Sequence, residues 1–369
     1  MLLVHCLLFP GAPIDFYRKR RKGKNAATQR SKERTEREDK SHKSQKTIAD
    51  DPTNVERKGQ RKQIVKFVKN TLEKGPPGLR TEFSNMKRFN DFEKMKAFKA
   101  AQELGKNRYK DVGCLDNNRV KLSNPPWPHE YIHANYVGTP TNPKRFICTQ
   151  APMDKTCADF WYMCLQEKVE TIFMLCNLTE KGAKKCCEYF PNKDKETVEF
   201  EEKGQKITVK YESSKGVQFN KKSDAKVTET IYSVEGPDGL TMKTTHYHWI
   251  DWPDRGVPTA DMAILELLAK ARVAKAPIVV HCSAGIGRTG SVVMIEYIMD
   301  QFLSGQQIEE SDKILQKIRD QRNNSIQTDQ QYLFVHQVIM NYFMDRKLFD
   351  ADVKMAHIAF TEKYLKSVH

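Results

Sequence analysis

The sequence holds no C-x-x-C pair: its nine cysteines, Cys6, Cys114, Cys148, Cys157, Cys164, Cys176, Cys186, Cys187 and Cys282, are an odd and scattered set. That argues against a disulfide scaffold or a zinc site and for a reducing compartment, where a reactive thiol survives. There is also no apolar run near the roughly 20 residues that a membrane span needs. Met1 to Phe9 is apolar but short, without a basic stretch before it or a convincing cleavage site after it. It reads as a loose hydrophobic terminus or a misplaced gene start. Leu2 excludes myristoylation, which requires glycine there, and only Cys6 offers a place for palmitate. Large apolar residues are nearly absent from Arg18 to about Asp51, so burial there cannot offset the entropy of ordering. Residues 1–53 are therefore expected to be a disordered basic tail.

Charge is abundant but uneven. Of the net +15, residues 1–62 carry 17 Lys/Arg against 8 Asp/Glu, hence +9, which leaves +6 for the rest of the chain. The cluster Arg18, Lys19, Arg20, Arg21, Lys22 and Lys24 fits a nuclear-import signal, a weak contact with an acidic surface (nucleic acid or anionic membrane), or a solvated tail, the last being the commonest case. Sparse aromatics argue against a platform for single-stranded nucleic acid.

Order is expected from about Asn54. Ile64, Phe67, Val68 and Leu72 recur at helical spacing until Gly75-Pro76-Pro77-Gly78 stops them. One continuous globular pattern then runs to Asp345, giving one domain over 54–345 and an extension over 346–369 that either packs as a helix or dangles. Strand-like runs cover Phe146 to Thr149, Glu170 to Cys176, Thr197 to Phe200, Lys206 to Tyr211, Lys226 to Ser233, Leu240 to Trp249 and Pro277 to His281. A short helix is expected over Trp161 to Glu167, a second capped by Thr259, a third after Gly287 ending at Ser304-Gly305. A capping box at Thr328 to Gln331 opens the last, through Tyr342. Strands with helices between and after them make an α/β (α+β) domain around a highly twisted mixed sheet.

The segment Val280-His281-Cys282-Ser283-Ala284-Gly285-Ile286-Gly287-Arg288-Thr289-Gly290 carries the chemistry. An apolar strand delivers Cys282 to a loop of small residues, and a helix begins at its far side. Backbone N–H groups of such a loop converge on an anion, and the helix start adds positive potential. The same field favours the thiolate of Cys282, a nucleophile. Arg288 is spaced to return and grip two phosphate oxygens, and Thr289 offers a hydroxyl to the sulfur. His281 reads as an orienter of the loop rather than a base. A strand, glycine turn and helix is common in packing alone, but the full string is specific.

This segment resembles the signature loop of the tyrosine-specific protein tyrosine phosphatases of the non-receptor type, and the similarity extends from Phe83 to about Asp345. The short form with a basic tail is similar to the group expanded in nematodes. The resemblance implies Cys282 as nucleophile, Arg288 as phosphate clamp, and Ser283, Ala284, Gly285, Ile286 and Gly287 as the cradle. Trp252-Pro253-Asp254 resembles the mobile acid loop, with Asp254 acid first and base second; Arg255 stands where His or Phe is frequent. Gln327 matches the water-positioning glutamine, and Gln331, which the capping box also explains, is expected to support it. Lys106-Asn107-Arg108-Tyr109-Lys110-Asp111 resembles the loop whose tyrosine sets pocket depth and whose acid pins the substrate backbone, so Tyr109, Asp111 and Lys110 are the expected substrate contacts. Glu180 and Lys185 match a glutamate that orients the arginine and a lysine beside the acid loop. His133 stands where Asn is common, Ala151 in place of a glycine with expected strain, and Asn324 where some members have glycine, narrowing access beside the pocket.

The reading is a phosphotyrosine phosphatase with no metal and no cofactor, a cytoplasmic monomer acting on phosphotyrosine-containing proteins, with nuclear entry through the tail as a further option. Two other functions stay open: a catalytically weak relative that binds phosphotyrosine, and a basic nucleic-acid binder resting on the tail alone.

Overall fold

The computed structural model of the chain describes residues 52–123, 125–346 and 348–368. The basic cluster at Arg18 to Lys24, Cys6 and the expected disorder before Asp51 lie outside these residues. The sheet and the site belong to one compact unit, Lys62–His369.

The first helix, α1, spans Pro52–Asn85 and breaks at Gly75, which takes φ 60° and ψ 176°. That angle suits glycine, and Pro76 and Pro77 then open the following turns, where a missing N–H costs nothing. Phe67 meets Phe302 edge-on at 5.7 Å and stacks on His336 at 5.9 Å, which explains its burial. After α2 (Lys96–Ala100) come β1 (Arg119–Lys121), β2 (Tyr131–Thr139) and β3 (Asn142–Thr149). Helix α3 (Cys157–Gln166) starts four residues before the expected Trp161, because Cys157 to Leu165 are buried all round and give no face-to-face contrast to mark its start. Next are β4 (Thr171–Met174), the small ribbon β5 (Thr179–Glu180) and β6 (Ala183–Lys184), β7 (Thr197–Glu202), β8 (Gln205–Gly216), β9 (Val227–Glu235) and β10 (Thr241–Trp249). The chain ends with α4 (Ala263–Ala271), β11 (Ile278–His281), α5 (Gly287–Leu303), α6 (Ser311–Arg319), α7 (Asp329–Met344) and α8 (Ala351–Val368).

Nine strands form one sheet in the order β1-β2-β3-β11-β4-β10-β9-β8-β7. Its centre is parallel: β11 pairs with β3 and β4, and β4 with β10. Such strands are covered on both faces, and every residue of β4 and β11 is buried. The sheet's outer parts are antiparallel. Phosphate-binding loops belong at the carboxyl ends of central parallel strands, and Cys282 follows β11 directly.

Thr259 does not cap α4. The helix begins at Ala263 with Met262 before it, and Asp261 Oδ1 accepts the Ala263 N–H at 2.8 Å. Thr328 does cap α7, its hydroxyl accepting from Gln331 N–H at 3.2 Å. The reciprocal half of the box is absent, since Gln331 Oε1 accepts from Gln327 N–H instead. Ala151 carries no left-handed backbone strain, being absent from the positive-φ residues. The extension over 346–369 packs: Phe360 and Tyr364 are buried, and Gln337 of α7 donates to Thr361 Oγ1 of α8 at 3.0 Å. Among the described residues, no helix is long and apolar enough to cross a membrane.

Candidate active site

Ile278, Val279 and Val280 hold β11 in the sheet interior, and the chain turns at Cys282 into α5. Gly285 makes the turn feasible. It sits at φ +69°, and a Cβ there would lie 2.0 Å from the Thr149 carbonyl oxygen. Its N–H donates to Cys282 Sγ at 3.2 Å. Burial pushes the Cys282 thiol up. The opposing effects of the Arg288 charge, the Thr289 hydroxyl and N–H, and the Gly285 N–H outweigh it and hold the thiol below its ordinary value. The Thr289 hydroxyl makes no hydrogen bond to any other protein group, so the sulfur is its polar neighbour. Thus the arrangement favours the thiolate more than an isolated cysteine would.

Arg288 is 2% exposed, and a buried guanidinium must be paired. Nη1 and Nη2 donate to the two Glu180 oxygens at 2.6 Å each, and Nη1 also reaches the carbonyls of Leu175 (2.7 Å) and Trp252 (3.1 Å). Burial works against its charge, yet Glu180 and Cys282 raise it above its ordinary value. Asp254 joins the same guanidinium, accepting from Nη2 at 2.9 Å, and Lys185 Nζ donates to its other oxygen at 2.9 Å. Burial would raise the Asp254 carboxyl, but Lys185 and Arg288 together hold it below its usual range. Trp252 is buried, against Trp249 and Phe334, with ring centroids at 5.0 and 5.5 Å.

Two braces went unread in the sequence. Arg322, fully buried, donates from Nε to the Gly285 carbonyl (3.1 Å) and from Nη2 to the Ala284 carbonyl (3.2 Å), so it clamps the loop from behind. Asn135 Oδ1 and His133 Nδ1 accept its remaining donors at 3.0 and 3.2 Å. His133 therefore donates from Nε2 to the Val112 carbonyl at 2.8 Å, and burial takes its pKa down to about 3. The second brace runs through Tyr189. His281 Nδ1–H points to the Cys282 carbonyl at 3.2 Å, which leaves Nε2 to accept the Tyr189 hydroxyl at 2.7 Å. The same oxygen meets His246 Nε2 at 2.8 Å. Burial brings His281 to about 3, so it is neutral and orients the loop. Arg322 lies in the polar run Asp320-Gln321-Arg322-Asn323-Asn324, which reads as surface; no local signal announces its burial.

Tyr109 stands over the loop. Ser283 Oγ donates to the Lys185 carbonyl at 3.2 Å, so the 2.8 Å contact with Tyr109 is donated by the tyrosine. The Tyr109 ring joins Val112, Ala284 and Ile286 in one apolar cluster. Asp111 and Lys110 are exposed at the rim, and the Asp111 carbonyl accepts from Asn90 at 2.9 Å. Asn90 in turn takes hydrogen bonds from Asn323 and Asn324. Asn324 is left-handed at φ 59°, which explains why glycine suits that position. Across the loop, Ile326 adopts φ 63°, a costly angle for a β-branched residue, while its N–H holds the Ile286 carbonyl at 2.9 Å. This turn lays Gln327 and Gln331 over the start of α5: a Cβ on Gly287 would come within 2.5 Å of Gln327 Oε1 and 2.9 Å of Gln331 Nε2. Gln331 Nε2 is buried without a protein partner.

Among the described residues, His129, Asp159 and Glu202 have the spacing of metal ligands. Lys106 Nζ occupies their centre, 2.7 Å from His129 Nε2, 2.9 Å from Asp159 and 3.4 Å from Glu202. Its ammonium supplies the positive charge and anchors the base of the Tyr109 loop.

A family model for protein-tyrosine phosphatases matches residues 103–341. Human receptor-type tyrosine-protein phosphatase zeta is 34% identical over 268 residues, covering 69% of this chain and 11% of that protein. Human tyrosine-protein phosphatase non-receptor type 12 is 30% identical over 295 residues, 76% of this chain and 36% of its own. The rat non-receptor type 9 enzyme is 31% identical over 76% of this chain and 48% of its own length. The chain thus spans less than half of each of these relatives. A structure of PTPN18 in complex with HER2-pY1196 phosphor-peptides superposes with a TM-score of 0.64 at 25% identity, covering 76% of this chain and 99% of that one.

Proposed function

Because the chain belongs to the protein-tyrosine phosphatase family, we propose that it hydrolyses protein phosphotyrosine through a cysteinyl-phosphate on Cys282. The observation carrying this reading is the convergence of the Cys282 sulfur and the Arg288 guanidinium, from one loop, with the Asp254 carboxylate from another. A phosphate dianion in the loop takes over Nη2 of Arg288, the donor that Asp254 now uses. Asp254 then loses one of the two cations that hold it ionised and gains an anionic neighbour, and both changes favour its protonated form. Cys282 Sγ bonds to phosphorus as the P–O bond to tyrosine breaks, and Asp254 gives its proton to that oxygen. In the second step Gln327, supported by Gln331, positions a water. Asp254 takes the water's proton as the water oxygen bonds to phosphorus, the S–P bond breaks and phosphate leaves. Thr289 eases departure of the sulfur, and Tyr109 sets a depth that favours phosphotyrosine.

Cytoplasmic residence belongs to this reading, since the eight described cysteines form no disulfide and the nucleophile needs reducing surroundings. The decisive assay compares phosphate release from phosphotyrosyl and phosphoseryl peptides in the presence of chelator, for the unaltered chain, Cys282→Ser and Asp254→Ala. Tyrosine-selective turnover is expected, abolished in the first variant and slowed with binding retained in the second. Equal rates on both peptides, or loss of activity to chelator, overturn the assignment; peptide binding without turnover in the unaltered chain replaces it with a phosphotyrosine reader.

A further inference from the structure

We propose that Cys157 and Cys187 form a reversible disulfide under peroxide, a modification site separate from the catalytic thiol. The two thiols are neighbours at the start of α3, near enough for each to shift the other's titration. Both are anchored on the same turn: Cys157 Sγ contacts the Met153 carbonyl at 3.2 Å, and Cys187 Sγ contacts Asp154 Oδ1 at 3.1 Å. The chain segments that carry them are already joined by the Cys187 N–H, which donates to the Pro152 carbonyl at 2.8 Å. Their environments differ as an attacking and a resolving thiol should. Cys187 is half-buried, and the Cys157 hydrogen bond lowers its pKa against burial and Asp154. Cys157 is 1% exposed, and the same contact, with burial, raises its pKa. Neighbouring Cys186 is equally enclosed, raised by burial, and donates to the Cys187 carbonyl at 3.1 Å, so it is a poor competitor.

The chemistry balances. The Cys187 thiolate attacks one peroxide oxygen; an S–O bond forms, the O–O bond breaks, and the departing hydroxide takes a proton to become water. Cys157 then attacks the Cys187 sulfenic sulfur. An S–S bond forms, the S–O bond breaks, and the second hydroxide leaves as water with the Cys157 proton. Two thiols lose two electrons and the peroxide gains them. The crosslink would pin the chain two residues from Lys185, whose amine holds Asp254 and whose carbonyl accepts from Ser283.

The test uses the full chain carrying Cys282→Ser, so its outcome does not depend on whether the protein hydrolyses phosphotyrosine. After hydrogen peroxide and blocking of free thiols, an unreduced digest is read by mass spectrometry. The expected result is a crosslink between the Cys157 and Cys187 peptides, with loss of two thiols that a dithiol restores. Adding Cys157→Ser should instead leave Cys187 as a sulfenic acid captured by a 1,3-diketone. The proposal is overturned if Cys187 stays reduced, or if it pairs with Cys186 or with a second chain.

Discussion

The phosphate loop and the acid loop meet at one guanidinium, yet they are held in opposite ways. The loop from Cys282 to Gly287 is buried and fastened by uncharged or fully enclosed partners: the Gly285 N–H on the sulfur, Arg322 on two carbonyls, His281 on a third. Asp254 is only partly buried and is held by two ion pairs, one to Lys185 and one to Arg288. Besides Asp254, the loop's ties are the Trp252 carbonyl on Arg288 and the Arg255 carbonyl on Thr328 at 3.3 Å. Enclosed hydrogen bonds with no alternative partner fix a geometry, whereas partly solvated ion pairs are worth little and exchange readily. The proposed mechanism, which binds a dianion without reorganising and then closes an acid over it, needs one element of each kind.

The sharpest way to break this contrast is to add one methyl to each loop. Gly285→Ala places a Cβ 2.0 Å from the Thr149 carbonyl at a left-handed φ, so strand β3 and the loop must separate. Turnover of a phosphotyrosyl peptide is expected to fall at least about 10²-fold, the cost of misplacing reacting groups by roughly 1 Å. Gly256→Ala meets only the Pro253 ring, at 3.0 and 3.3 Å. That ring belongs to the same loop and can give, so only a few-fold loss is expected. Equal losses would mean that the two loops are equally rigid.

Arg322→Met probes the brace itself. It leaves the Ala284 and Gly285 carbonyls and His133 Nδ1 buried without donors, each worth about 1–3 kcal/mol. Denaturant unfolding should show a lowered midpoint, and turnover should fall by less than in the Gly285 variant, because the loop keeps its backbone angles. This residue also marks where sequence reading stops. Cys282 to Gly290 was legible because an unusual nine-residue string declares itself locally, as did the apolar strand before it. Arg322 does useful work only because the turn after α6 carries it beneath the loop, and a charged residue among Asp, Gln and Asn carries no sign of that. The edge elements failed for a different reason: β1, β5 and β6 are two or three residues long, too short for any period. Strand β2 is buried at eight of nine positions, so it lacks the alternation that would have set it apart from an apolar motif. The Thr259 cap was misplaced because Asp261, two residues later, offered a better-placed oxygen.

Lys185→Met is the gentlest intervention, and it acts on the acid loop alone. In the ligand-free site the lysine favours the Asp254 carboxylate, and removing it leaves burial opposed by Arg288 only, so the Asp254 pKa must rise. A general acid works in its protonated form, and activity is lost as pH climbs through its pKa. The descending limb of kcat/KM against pH should therefore move to higher pH in the variant. The ascending limb, set by Cys282, should stay in place, since Lys185 is not among the groups that lower that thiol. A profile in which both limbs move together would show that Lys185 acts on the phosphate loop as well, and the separation of a fixed cradle from an exchangeable acid would then have to be abandoned.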